Sequence, residues 1–254
     1  MNENQINNFP QLAARWRELW DAMMTQYCPG RESAFNLALD LLDFTLRDTP
    51  LRILDVGCGS GAFVERVLER LPLATVTALD HDNAALCIAR TMLGGERVRW
   101  VRGEVWESWE PLGLGEFDAV FMGWLTHELA PWQLAALYSN VYTLLRPTGL
   151  LLNADFMPDL APGFRELAQD MTLRRLTDDF SIYEHNVESN PVWIKAMKEH
   201  WNVFRDLPSS PISRTRWRVY HPATEHHLVL LDAGFREHET VWRYMESGMI
   251  LAVR

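Results

Sequence analysis

One segment constrains this chain more than any other: Ile53-Leu54-Asp55-Val56-Gly57-Cys58-Gly59-Ser60-Gly61-Ala62. An apolar run ends at Asp55, three glycines alternate with small residues, and helix-forming sequence follows over residues 62–71. The order reads as strand, tight turn, helix. A turn without β-carbons lets backbone approach a ligand closely, and the start of the helix presents N–H groups that lack partners. A nucleoside cofactor is the kind of ligand such a turn cradles. Two other glycine-rich turns compete with this reading. The dinucleotide fingerprint G-x-G-x-x-G places its third glycine later, although Ala62 can fill that position. The phosphate loop of nucleotide hydrolases is excluded, because no Lys-Ser or Lys-Thr pair follows. A glycine-rich turn that holds nothing is the remaining alternative, and only the rest of the chain bears on it.

Around this segment the apolar period changes in an orderly way. Leu12, Trp16, Leu19, Trp20 and Met23 recur at helical spacing until Cys28-Pro29-Gly30 interrupts them, and a second helix is expected over residues 32–46. Strands are then expected at 51–56, 74–79, 98–101, 117–122 and 150–154, and helices at 62–71, 83–93 and 131–145. The turn Arg146-Pro147-Thr148-Gly149 leads into the strand at 150. Such alternation implies an α/β fold, a mainly parallel sheet with helices on both faces and ligands beyond the carboxyl ends of its strands. Residues 156–221 return to helical spacing broken by prolines, which reads as two or three inserted helices. A helix at 224–232 and strands near 236–242 and 249–253 complete the chain. The expected organisation is an N-terminal helical cap over 1–50, a cofactor-binding core over 51–155, an inserted helical cap over 156–221 and a return to the core sheet over 222–254.

Charge and cysteine usage narrow the functional classes. The formal net charge is −10, which disfavours non-specific binding to nucleic acid. Arg214-Thr215-Arg216-Trp217-Arg218 is the one local basic cluster. Cys28, Cys58 and Cys87 lie far apart and form neither a disulfide framework nor a metal-ligand spacing. Residues 1–10 lack the apolar core of a signal peptide, and no apolar run approaches bilayer length. The expectation is a soluble cytoplasmic protein without a membrane partner. Eleven tryptophans are many for this length; core packing is the first reading of any one of them, and a surplus would also suit an aromatic ligand pocket.

Asp80 closes the second expected strand, 25 residues beyond Asp55. An acid near this distance from a glycine turn can accept hydrogen bonds from both hydroxyls of a ribose. The alternative is a helix cap, a role that Asp82 or Asn83 also fits.

These segments, with four others in order, resemble the class I S-adenosylmethionine-dependent methyltransferases. Val101-Arg102-Gly103-Glu104-Val105 is similar to the adenine-reading stretch after the third strand, with Glu104 where a shorter acid is usual. Phe117 to Leu129, containing Gly123-Trp124-Leu125-Thr126-His127-Glu128, is similar to the fourth-strand motif. Leu144-Leu145-Arg146-Pro147-Thr148-Gly149 and Leu231-Asp232-Ala233-Gly234-Phe235 are similar to the motifs before the fifth and sixth strands. The resemblance covers about residues 51–154 and 224–254. It implies a Rossmann-like, seven-stranded sheet with its last strand antiparallel, S-adenosylmethionine as cofactor and methyl transfer as the reaction. Asp55, Gly57 and Gly59 would cradle the methionine portion, and Asp80 with His81 would hold the ribose. Glu104 and Val105 would read the adenine, and Gly123 and Trp124 would lie against the cofactor.

His127 is the best candidate for a general base, because imidazole titrates near neutrality and this position follows the cofactor-lining strand. A histidine capping the next helix is the alternative. Glu128, Tyr183, His185 and His226 are further candidates. No metal site is expected, since no acids are spaced to accompany Asp155. A small organic substrate is expected, lined in part by Trp20, Tyr27, Phe156, Tyr183 and His185. An enzyme modifying RNA or protein, and a cofactor-binding member of the fold that does not methylate, are the competing classes.

Overall fold

The computed structural model describes residues 9–28, 30–45, 49–161, 163, 164, 166, 167 and 219–254. Its strands are β1 (Arg52–Val56), β2 (Thr75–Asp80), β3 (Val98–Arg102), β4 (Phe117–Gly123), β5 (Leu145–Phe156), β6 (Glu237–Tyr244) and β7 (Ser247–Val253). Its helices are α1 (Phe9–Tyr27), α2 (Arg31–Thr45), α3 (Ala62–Arg70), α4 (Asn83–Leu93), α5 (Pro131–Leu144) and α6 (Ala223–Ala233).

The seven strands form one sheet in the order β3-β2-β1-β4-β5-β7-β6. β1 pairs in parallel with both β2 and β4, β2 with β3, and β4 with β5. β7 runs antiparallel between β5 and β6, as the resemblance implies. The central strands are buried on both faces, which is why they read in sequence as near-continuous apolar runs. The connections leave β1 toward β2 on one side and return to β4 on the other. The switch point therefore lies at the carboxyl ends of β1 and β4, where a crevice opens in such sheets.

Each face carries its own core. On one, Phe35 of α2, Phe63 of α3 and Phe121 of β4 pack together, with Phe63 and Phe121 stacked at 3.7 Å. On the other, Leu134, Leu137, Tyr138 and Val141 of α5 pack with Leu230 of α6. The two N-terminal helices consequently differ in role. α2 belongs to the helix layer, held along α3 by the ion pairs Glu32–Arg66 and Asp40–Arg70. α1 packs Ala13 and Trp16 against Ala84 and Ile88 in the first half of α4, and Arg17 pairs with Glu65 in the first turn of α3. α1 thus crosses the amino ends of α3 and α4, above the carboxyl edge of the sheet.

The sequence predicts a turn at 146–149 with a strand starting at 150, whereas β5 begins at Leu145. The turn residues are absorbed as a bulge. Pairing with β4 jumps from Phe117↔Leu145 to Ala119↔Leu150, and Thr148 takes a φ of 66°. The end of the chain secures it, with Thr148 N–H donating to Arg254 C=O and Arg254 N–H to Gly149 C=O. No described helix is long and apolar enough to cross a membrane.

Candidate active site

The glycine turn sits at the switch point. Gly57, Gly59 and Gly61 all have positive φ, at 73°, 52° and 82°, so each needs the left-handed region that glycine enters without cost. Their surroundings differ. A β-carbon at Gly57 would meet Leu125 at 3.1 Å, and one at Gly61 would meet Leu93 at 2.8 Å, so these two glycines permit close packing of protein on protein. A β-carbon at Gly59 would meet nothing within 4 Å, so the middle of the turn faces open space.

Asp80 holds this turn in shape. Its Oδ2 accepts from Gly59 N–H at 2.8 Å, its Oδ1 from Asp82 N–H at 2.8 Å, and His81 Nδ1 lies 3.2 Å from Oδ1. Burial pushes its pKa up, but His81 and the two backbone donors outweigh burial and leave the carboxyl below its usual value. Asp80 is therefore an anion placed against the turn. The helix-cap role belongs to Asp82, which accepts from Ala84 and Ala85.

Asp55 is its opposite. It is 2% exposed at the end of β1, and its Oδ2 has no hydrogen-bond partner. Burial, reinforced by the charge of Asp80, pushes its pKa up to about 8. Glu104 also leaves a buried oxygen, Oε2, without a partner, while its carbonyl accepts from Trp109 Nε1. Buried acceptors without donors are rare and call for an explanation. Here two of them flank an open glycine turn, and they suit a ligand rich in N–H groups. The ammonium and adenine amino groups of S-adenosylmethionine are such donors. The turn, Asp80, Asp55 and Glu104 therefore fit the cofactor that the sequence resemblance implies. Val105 is buried beside Glu104.

At the other side of the switch point, Gly123 pairs with Ala154 across β4 and β5. Trp124 follows at φ 52°, an uncommon conformation for a bulky residue, with its amide donating to Ala154 C=O at 2.7 Å. Its ring turns into the core, edge-on to Phe35 at 6.1 Å. The backbone of residues 123–124, rather than the indole face, marks the strand end.

His127 follows in a short 3₁₀ turn, Thr126–Glu128, and is 4% exposed. Its Nδ1 lies 2.7 Å from Oδ1 of the fully buried Asp155. Asp155 also accepts from Thr126 Oγ1 at 2.6 Å, His127 N–H at 3.0 Å and Phe156 N–H at 2.7 Å. Burial alone would raise its pKa, but the adjacent His127 and these donors overcome it and hold the carboxyl below its usual value. An ionised carboxylate only accepts, so Nδ1 carries the hydrogen, and Nε2 is the basic nitrogen of the neutral ring. His127 does not cap the next helix, whose N-cap is Ala130 with its N–H donating to Gln133 Oε1; it orders the turn after β4, with its ring held by Asp155.

Phe156 packs edge-on to His127 at 5.2 Å and to Tyr220 at 5.9 Å, so these three rings share the mouth beyond β4 and β5. Trp20 stacks on Trp16 at 5.1 Å within the packing of α1 on α4. Tyr27 ends α1, and its side chain lies outside the described atoms. Tyr183 and His185 lie outside the described residues. His226 is set apart from the mouth: it is buried in α6, bonded to Tyr138 at 2.6 Å, and burial pushes its pKa down to about 3, too low for an effective base at neutral pH. Among the described residues, no three His, Cys, Asp or Glu side chains gather as a metal ion requires. Asp155 was singled out in the sequence only as a lone acid. Its pairing with His127 spans 28 positions and follows from the register of β4 on β5.

Residues 53–149 match the family model of the methyltransferase domain. Over this stretch the chain is similar to S-adenosylmethionine-dependent methyltransferases. Trans-aconitate 2-methyltransferase of Acidovorax sp. (strain JS42) is 31% identical over 142 residues, 55% of this chain and 50% of that protein. Release factor glutamine methyltransferase of Gloeobacter violaceus is 33% identical over 134 residues, 43% of this chain and 46% of that protein. The chain spans about half the length of the curated relatives it matches. Human N-acetylserotonin methyltransferase, solved in complex with SAM, shares the fold with a TM-score of 0.56 at 18% identity, over 96% of this chain and 55% of that one. A mitomycin 7-O-methyltransferase does so with a TM-score of 0.56 at 15% identity, over 87% and 53%.

Proposed function

We propose that this protein transfers a methyl group from S-adenosylmethionine to a small organic acceptor held between α1 and the carboxyl ends of β4 and β5. The observation that carries the cofactor assignment is the pairing of an open glycine turn with two buried, unpartnered carboxyl oxygens, Asp55 Oδ2 and Glu104 Oε2. The names of relatives and fold neighbours support a methyl donor, and several of those names denote enzymes of small molecules.

Bound S-adenosylmethionine supplies a methyl group already activated on its sulfonium. The chain's own part is to bind, orient and exclude water. Asp80 offers its carboxylate to the ribose while it keeps Gly59 in place. Asp55 and Glu104 accept from the two N–H-rich ends of the cofactor. His127 receives the acceptor's proton on Nε2, and Asp155 holds Nδ1–H and stabilises the imidazolium that results. The N-terminal helix α1 would close the site and help set acceptor choice; most of the inserted cap expected over residues 156–221 lies outside the described residues.

The test uses methyl-labelled S-adenosylmethionine. The protein is incubated with a fractionated cell extract, and label is followed into metabolites, RNA and protein. Label in the metabolite fraction supports the reading. Label confined to RNA or protein overturns the small acceptor. Calorimetry that detects a nicotinamide cofactor but no S-adenosylmethionine overturns the cofactor.

A further inference from the structure

A buried guanidinium in the N-terminal helices is incompletely paired. Arg31 is the first residue of α2 and is 5% exposed. Its Nη2 donates to Asp21 Oδ1 at 3.0 Å, and its Cζ lies 4.9 Å above the ring of Phe35. Its Nη1 is buried and has no hydrogen-bond partner. The contrast with Arg17 is instructive. Arg17 is as deeply buried and leaves only its Nε without a partner, because both of its terminal nitrogens are taken by the two oxygens of Glu65. Arg31 has one carboxylate oxygen where its planar fork can engage two acceptors. A charge withdrawn from water with an N–H₂ group left over is a costly arrangement in a folded chain.

The position of Arg31 explains what that cost is for. Burial raises the pKa of the Cys28 thiol, the guanidinium of Arg31 pulls it back and the carboxylate of Asp155 pushes it further. Phe35 forms a second link. Arg31 lies over its face, and the edge of the same ring reaches within 3.6 Å of where a β-carbon on Gly123 would be. Arg31 is thus one ring away from the strand end of β4, where Gly123 pairs with Ala154, the residue before Asp155. That neighbourhood already holds Asp155, and the chain as a whole is strongly acidic. An anion entering the cleft needs a local cation, and Arg31 supplies it.

We propose that Arg31 is a carboxylate receptor of this site, its Nη1 taking an oxygen of a bound carboxylate. The proposal rests on the reading of the site as one for a methyl donor and a small acceptor. Two carboxylates can reach it: one on the acceptor, or the one at the amino-acid end of the cofactor. The geometry names the chemistry, and the experiment separates the sources.

Calorimetry is done on wild type, Arg31→Gln and Arg31→Lys. The first arm compares S-adenosylhomocysteine with 5′-methylthioadenosine, which lacks the amino acid carboxylate. The second arm loads the protein with 5′-methylthioadenosine and compares acetate, succinate and benzoate with acetamide, succinamide and benzamide. If Arg31 receives the cofactor, Arg31→Gln weakens S-adenosylhomocysteine about tenfold to hundredfold and leaves 5′-methylthioadenosine unchanged. If it receives the acceptor, the first arm is unchanged, wild type binds an acid more tightly than its amide, and Arg31→Gln abolishes that preference. Arg31→Lys, which keeps the charge, should restore part of either effect. The proposal is overturned if Arg31→Gln, folded by circular dichroism, alters neither arm. Should that variant not fold, wild type decides: equal affinity for S-adenosylhomocysteine and 5′-methylthioadenosine, together with no preference for acid over amide, overturns the proposal. Failure of wild type to bind either adenosine compound falls on the functional reading instead, and the acid–amide comparison, run on the unloaded protein, still judges Arg31.

Discussion

Two buried aspartates, Asp55 near the end of β1 and Asp155 near the end of β5, stand on either side of β4 and are treated in opposite ways. Asp155 is surrounded by donors: a hydroxyl, two backbone amides and the imidazole of His127. It is held ionised. Asp55 has an oxygen with no donor, faces the like charge of Asp80, and keeps its proton up to about pH 8. The β4–β5 side is complete within the protein, while the β1–β2 side is left unfinished. A group whose work is to orient another side chain needs its partners built in. A group whose work is to receive a ligand needs them missing until the ligand arrives.

The largest effect should come from breaking the finished side. Asp155→Ala removes the acceptor for four donors, and equilibrium unfolding in urea should show a loss of about 3–5 kcal/mol. Asp155→Asn, which keeps an acceptor oxygen, should lose less. A stability for Asp155→Ala within about 1 kcal/mol of wild type would dissolve the contrast between the two aspartates.

Next comes the residue that Asp155 orients. His127→Ala should slow single-turnover methyl transfer at least about tenfold, toward the 10²–10⁴-fold typical of a lost general base, with cofactor affinity retained. Wild-type transfer across the neutral pH range would assign His127 to ordering the turn after β4 and nothing more.

On the unfinished side the effects should appear in binding. Asp80→Ala should weaken S-adenosylmethionine by about 1–3 kcal/mol in calorimetry, the range for hydrogen bonds to a charged group. It also frees Gly59 N–H, so part of that loss reflects a loosened turn. An unchanged dissociation constant with the fold intact would remove Asp80 from the ribose.

The smallest effect is the sharpest test of the contrast. Asp55 has a folded pKa of about 8 in the free protein against an ordinary carboxyl value near 4 when unfolded. Between those values the folded chain holds a proton that the unfolded chain has lost, so this residue lowers stability as pH rises from about 4 to about 8. Asp55→Asn should flatten that slope in thermal melts. A cofactor cation placed beside Asp55 should expel the proton. Binding at pH 7 should then release up to about one proton, read from calorimetry in buffers of different ionisation enthalpy. No proton release in wild type, or the same release in Asp55→Asn, would show that Asp55 is not the receiving carboxyl.

Much of this was written locally. The glycine turn, the alternation of strands with helices and the place of Asp80 after β2 depend on short-range rules: where φ must be positive, where an apolar run ends, what can start a helix. The 146–149 turn was legible as turn chemistry but not as a bulge, because the choice depended on Arg254 pairing alongside it. The division of the N-terminal helices was not legible either. Both α1 and α2 show helical spacing, and only packing distinguishes the one that crosses the edge from the one that lies along α3.

The sequence determined the fold class and the shape of the single strand–turn–helix unit in the candidate site, because each contact there joins residues close along the chain. Tertiary structure decided which acids are charged and which nitrogen of His127 faces Asp155. Those properties depend on donors that arrive from other strands, and on burial, which removes the water that would otherwise make all carboxylates alike.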